Sequence, residues 1–318
     1  MGYPSGPAAR DRWILERRGP KAVMNGAHAT ATAWEEEAGA GGALVPTAVV
    51  FLTNRECPFR CVMCDLWLHT LDTPTPPGAV VAQIREALSQ LAPARQIKLY
   101  NAGSFFDPAA IPPSDDGAIA ETVSPFERVI VEAHPAFLEG PYAERCRLFR
   151  DRLVGRLEVA VGLETAHPAA LAQMNKRMTL DDFTAAADFL MRHGIALRTF
   201  VLLNPPFVAA ESAVEWACRS VELAMARGAT AISVIPTRGG NGALESLGDG
   251  FVSSRLRDLE TVIEYGLALG RARVFADLWG IERFFDCACA PFRGERLRLM
   301  NRTQRPADQI RCDCDVRR

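Results

Sequence analysis

The chain has 318 residues, 48% hydrophobic and 23% charged, with 36 basic and 38 acidic side chains and a formal net charge of −2. These proportions exclude a collagen-like or broadly disordered polypeptide, and near-neutrality gives no bulk electrostatic case for nucleic-acid binding. The longest apolar runs, such as residues 48–52, fall far short of the roughly 20 residues of a membrane span, and the first 18 residues lack the apolar segment of a secretory signal, so a cytoplasmic protein with no membrane span is expected.

Residues 1–44 hold Pro-, Gly- and Ala-rich stretches and the run Glu35, Glu36, Glu37; they are expected to form an irregular extension packed on the main domain. A regular rhythm then begins. Residues 45–53 are an apolar, β-branched run, the signal of a buried strand. Residues 78–91 have helical periodicity, with Val80, Ile84, Ala87, Leu88 and Leu91 on one face. Strands are expected at 96–100, 128–132, 157–163, 195–203, 231–235 and 273–276. Helices are expected at 179–192, with a capped start at Thr179 and a terminating Gly194, at 212–227 and at 254–269. Apolar strands alternating with amphipathic helices indicate βαβ units and a parallel sheet. Six or seven such units fit a full or partial α/β barrel over residues 45–280, with a doubly wound open sheet as the alternative. Residues 281–318 form a Cys-rich basic segment.

Nine cysteines, an odd number, need an explanation in a chain that is large enough to fold without disulfides. Three of them fall in Cys57-Pro-Phe-Arg-Cys61-Val-Met-Cys64, directly after the first expected strand. Three thiolates in one tight loop can hold three irons of a 4Fe–4S cubane and leave the fourth without a protein ligand. A zinc site is the alternative, with Asp65 or His69 near enough in sequence to complete it.

The C-x3-C-x2-C spacing after the first strand of an α/β chain resembles the radical S-adenosylmethionine (SAM) superfamily, whose aromatic residue before the last cysteine is here Met63. The resemblance implies a partial (β/α)6-type barrel. It implies a 4Fe–4S cluster whose open iron chelates SAM, and reductive cleavage of SAM to a 5′-deoxyadenosyl radical. A narrower resemblance, to the radical-SAM subunit of archaeosine synthase, runs over most of the chain. Its phrases are Trp13-Ile-Leu-Glu-Arg-Arg-Gly-Pro, Asn54-Arg-Glu-Cys-Pro-Phe-Arg-Cys, Lys98-Leu-Tyr-Asn-Ala-Gly-Ser-Phe-Phe-Asp-Pro, Leu157-Glu-Val-Ala-Val-Gly-Leu-Glu-Thr, Asn175-Lys-Arg-Met-Thr-Leu-Asp-Asp-Phe, Ile235-Pro-Thr-Arg and Gly240-Asn-Gly-Ala. The Elongator catalytic domain is a more distant likeness. The narrower one implies a C–N lyase. A partner subunit transfers lysine to 7-cyano-7-deazaguanine in tRNA, and the radical enzyme breaks a C–N bond within the added lysine to leave archaeosine. An electron donor is implied as well.

In α/β barrels function gathers where strands end. Asn101 and Ser104 stand where such proteins place a stretch that meets the SAM amino group, although a plain turn would read the same way. Glu132 and His134 follow the third strand and are candidates to face the cavity, with a loop-capping histidine as the alternative. Glu164 at a strand tip suits ribose hydroxyls or the SAM amino group. Arg198 needs an anionic partner, either the SAM carboxylate or a protein carboxylate across the sheet. Glu158, near its strand's start, is expected outward or at the bottom of the barrel, with an inward position allowed by strand phase as the alternative, and Arg238 is a candidate contact for SAM or an RNA phosphate.

Cys287-Ala-Cys289 and Cys312-Asp-Cys314 are two C-x-C pairs with 22 residues between them. In an extended segment residues i and i+2 share a face, so the pairs can converge on zinc or on a second iron–sulfur cluster. Residues 291–318 hold eight Arg and four acidic residues, a local +4 that suits RNA phosphates, with Arg298, Arg302 and Arg305 on one face if 295–304 is helical. Cys146 and Cys218 are expected to be helix thiols. Two other functions remain open on the sequence: a radical SAM enzyme acting on a small molecule or peptide, with the C-terminal site as a second metal centre, and a zinc-binding protein without activity.

Overall fold

The computed structural model describes residues 2–312. In sequence order the elements are α1 (Pro7–Leu15), β1 (Ala31–Ala38), β2 (Leu44–Leu52), α2 (Ala79–Gln90), β3 (Gln96–Asn101), α3 (Asp116–Thr122), β4 (Arg128–Glu132), α4 (Gly140–Arg152), β5 (Arg156–Glu164), α5 (Pro168–Gln173), α6 (Leu180–Arg192), β6 (Ala196–Leu203), α7 (Ala213–Ala226), β7 (Ala229–Pro236), α8 (Leu256–Leu269), β8 (Arg273–Ala276) and α9 (Ala290–Thr303). The strands form one curled sheet in sequence order, β1 to β8. β2 to β8 are parallel, and they coincide with the seven expected strands. The partial α/β barrel is therefore the fold.

Each parallel strand is covered by the helix that follows it, so its outward residues are apolar: Leu99, Val159, Val161, Leu163, Val201 and Leu203 are all buried. α6 starts where its capping box sits. Thr179 Oγ1 accepts from Asp182 N at 3.2 Å, and Thr179 N donates to Asp182 Oδ2 at 2.7 Å. Gly194 after it takes φ +64°, the left-handed conformation that ends a helix cheaply. Among the described residues no helix is long and apolar enough to cross a membrane.

The N-terminal segment is not irregular throughout. Residues 31–38 form β1, which pairs antiparallel with β2 and brings Glu37 opposite Val45. Its carboxylates reach the bottom of the barrel interior. There Glu37 Oε1 lies 2.6 Å from Arg198 Nη2, Glu37 Oε2 lies 2.5 Å from Lys98 Nζ, and Glu158 Oε1 lies 2.7 Å from Arg198 Nε. Arg128 and Arg273 complete the network at 2.5 and 3.5 Å from Glu158 Oε2. Burial alone would raise the Glu37 carboxyl; Arg198 and Lys98 beside it hold it far below the carboxylate range. The network seals the floor. On the open side of the sheet, Arg273 on β8 reaches Glu37 at 3.1 Å and Arg302 on α9 reaches Glu36 at 2.8 Å. β1 and the C-terminal helix thus close the gap that β8 leaves.

Candidate functional site

Above that floor the barrel encloses a cavity of about 910 Å³. Its walls are the inward residues of the strands, among them Lys98, Tyr100, Ala160, Gly162, Phe200 and Ser233. Its mouth, at the C-terminal ends of the strands, is lined by Cys57, Cys61 and Cys64. All three thiols come from the loop that leaves β2, and all three are free.

That loop is held from several elements. Asn241, after β7, donates from Nδ2 to Val62 O at 2.7 Å and to Cys64 O at 3.2 Å. Its Oδ1 is kept in place by the amides of Ala243 and Leu244 at 3.0 and 2.9 Å. Asn175 Nδ2 donates to Arg60 O at 2.7 Å, and Val62 N donates to Met174 O at 3.0 Å. Arg18 and Lys21 clamp Glu56, the residue before Cys57, at 2.7 and 3.2 Å. Gly103 has φ +127°, and a Cβ there would stand 3.0 Å from the Cys57 Cβ and 3.4 Å from its Sγ. The backbone after β3 therefore cradles the first cysteine.

Beside the thiols stands an ion pair, Lys176 Nζ to Glu164 Oε1, both side chains buried. Glu164 carries φ +63° at the end of β5, where the register with β6 slips by one residue. Left-handed backbone at a non-glycine residue is strained and gathers at functional sites, and a bulge re-aims a side chain. His134 stacks on Phe59, with ring centroids 4.0 Å apart. Its Nδ1 accepts from Ala136 N at 3.1 Å, so its Nε2 carries the proton and donates to Lys176 O at 2.9 Å. Burial and the Lys176 ammonium push the imidazole down to about 3, so it stays neutral and positions the Lys176 loop. Glu132 also lines the cavity; burial, with help from the Glu164 carboxylate, pushes it up to about 8. Burial pushes the Cys64 thiol up to about 12, and Cys57 and Cys61 upward too. Three buried thiols lining one cavity suit a metal centre that binds them as thiolates in place of their protons.

No family model matches the chain. Archaeosine synthase subunit beta of Methanosarcina acetivorans is 25% identical over 203 residues, covering 60% of this chain and 58% of that protein. The same subunit of Thermococcus kodakarensis is 27% identical over 169 residues, 51% of each chain. The chain is similar to archaeosine synthase subunit beta over these stretches. It spans 51–58% of the length of these relatives. Among solved structures, methylornithine synthase superposes with TM-score 0.51 at 12% identity over 98% of this chain and 90% of its own. That likeness is one of fold.

The residues singled out at the strand ends fare differently. Glu164 and Arg238 line the cavity, Arg238 paired with Asp277 after β8. After β3 the wall is made by Ala102 and Gly103, whereas Asn101 and Ser104 are buried outside the lining. Asn101 Oδ1 and Nδ2 and Ser104 Oγ find no hydrogen-bond partner among the described residues. Arg198 has its anionic partners within the protein, Glu37 and Glu158, as the alternative of a salt bridge across the sheet required. Glu158 points inward at the floor. Lys176 was missed, being visible only as a letter in the Asn175-Lys-Arg phrase, because nothing in a loop sequence says that it folds back to a strand tip. Cys146 is buried in α4, and Cys218 lies half-buried in α7. Cys287, Cys289 and Cys312 converge, their Sγ atoms within 4.8 Å of one another. Cys314 lies outside the described residues.

The arginines of α9 are engaged internally. Arg293 pairs with Glu260, Arg296 with Glu260 and Glu264, Arg298 with Glu295 and Arg302 with Glu36. The expected helix is longer than 295–304 at its start and ends at Thr303, so Arg305 lies beyond it.

Proposed function

We propose that the protein is a radical SAM enzyme that holds a 4Fe–4S cluster on Cys57, Cys61 and Cys64 and cleaves the lysine C–N bond of a modified 7-deazaguanine in tRNA. The observation that carries the first half is the set of three thiols from one loop facing a single cavity at the C-terminal mouth of a partial barrel. Cys57, Cys61 and Cys64 would hold the cluster, which when bound would supply the one-electron reduction of a SAM sulfonium. The protein's own residues bind and orient. Lys176 and Glu164 offer an ammonium and a carboxylate to the oppositely charged ends of the SAM methionyl group. The backbone at Ala102 and Gly103 offers polar groups beside Cys57. The apolar and aromatic wall of Phe51, Phe200, Leu202 and Phe275 keeps water from a reactive radical. About 910 Å³ is within the range of small-molecule and cofactor sites.

The second half rests on the relation to archaeosine synthase subunit beta. It brings a lysine-transferring partner subunit, a low-potential electron donor and a cytoplasmic setting. The test is nucleoside mass spectrometry of tRNA carrying the lysine adduct, incubated anaerobically with reconstituted protein, SAM and reductant. Loss of the adduct and appearance of archaeosine support the reading. SAM cleavage with untouched tRNA contradicts it and favours the second reading, a small-molecule or peptide substrate. The specific observation behind that second reading is the engagement of the α9 arginines by the protein's own carboxylates.

A further inference from the structure

The C-terminal thiols lie outside the cavity lining and play no part in the proposed chemistry. They come from two segments. Cys287 and Cys289 precede α9, Cys289 as its N-cap residue. Cys312 arrives from the tail, which turns at Gln304 with φ +52°. The tail then runs back along α9, where Arg296 donates from Nε to Asp308 O at 2.7 Å and from Nη2 to Ala307 O at 2.6 Å. The result is a Cys287 Sγ to Cys312 Sγ separation of 4.0 Å, with all three sulfurs within 4.8 Å of one another.

Those distances separate two kinds of centre. Four thiolates on one tetrahedral ion, with Zn–S about 2.3 Å, stand about 3.8 Å apart. A cubane instead carries each thiolate on a different iron at its outer corners, so the sulfurs spread well beyond that spacing. We infer that Cys287, Cys289 and Cys312 are ligands of one mononuclear zinc ion that staples the tail to the start of α9. The site has a mechanical consequence. The connection from β8 that ends in Cys287 begins with Asp277, Leu278, Trp279, Gly280 and Glu282, all of which line the cavity. The staple therefore fixes one side of the cavity mouth. It is independent of the cluster and the substrate proposed above.

Elemental analysis of the full-length protein, purified without air from cells given both metals, tests this. The expected content is about one zinc and about four irons per molecule. Cys289→Ser and Cys312→Ser are each expected to lower zinc below roughly a tenth of an equivalent while leaving the iron. Cys57→Ala is expected to lower iron and leave zinc. About eight irons without zinc, a single iron replacing the zinc, a Cys287–Cys312 disulfide in the isolated protein, or zinc that survives both serine variants would overturn the inference. Should the serine variants fail to fold, the wild type decides by exchange of zinc for cobalt. The d–d bands of tetrahedral thiolate-bound cobalt support the site, and octahedral bands overturn it. Chelation is also expected to open the tail to trypsin at Arg305 and Arg311; unchanged cleavage removes the staple.

Discussion

Glu37 on the antiparallel strand β1 and Arg198 in the middle of the parallel sheet lie 2.6 Å apart in the floor of the barrel. Neither side chain has appreciable contact with solvent. A buried charge that loses its partner is expensive, about 3–5 kcal/mol. Arg198→Met is therefore expected to lower stability by up to about that amount, because Glu37 and Glu158 each lose one of their cationic partners and keep Lys98, Arg128 and Arg273. Adding Glu37→Gln to it should recover part of the loss. Thermal denaturation with and without SAM checks this. A normal melting temperature with weakened SAM binding would instead make Arg198 a ligand of SAM.

Gly162 lies under the Lys176–Glu164 pair, and a Cβ there would collide with both charged ends. Its φ is not in the left-handed region, so alanine fits the backbone. Gly162→Ala is expected to leave the fold intact, spread the pair and weaken SAM binding roughly ten- to a hundredfold, the worth of one charge-assisted contact. Isothermal titration on the anaerobic protein measures it, and unchanged affinity would remove Lys176 and Glu164 from the SAM site.

Glu132 sets a pH dependence. Its folded-state carboxyl titrates near 8, above its ordinary value of 4.5, because it is buried beside the Glu164 carboxylate. The folded state then holds a proton that the unfolded state has released. Stability is full below the ordinary value and falls as pH rises toward about 8, by an amount on the order of a few kcal/mol. Melting curves of the metal-free protein from pH 5 to about 8.5 should slope downward. Glu132→Gln should flatten that slope, and an unaltered slope would assign it to another group.

The parallel strands were legible because their residues are apolar on both faces or alternate with a few inward polar groups, a pattern fixed by helices packed outside. β1 was not. A run of three glutamates usually reads as a solvated surface, and what turns Glu35 and Glu37 inward is Lys98, Arg198 and Arg273, remote in sequence. The cysteine loop was legible from spacing alone, since its ligands are neighbours in sequence. The Lys176–Glu164 pair was not, because it depends on a bulge after Gly162 and on His134 holding the loop around Lys176. The C-terminal thiols fall between these cases: spacing suggested a metal, and only their distances distinguish one ion from a cluster.

The most direct test of the account is reductive SAM cleavage by the anaerobically reconstituted protein. The wild type is expected to show iron–sulfur absorption and to release 5′-deoxyadenosine, whereas Cys57→Ala, Cys61→Ala and Cys64→Ala should each lose both. Formation of 5′-deoxyadenosine by any of the three variants, or none by a fully loaded wild type, would contradict it.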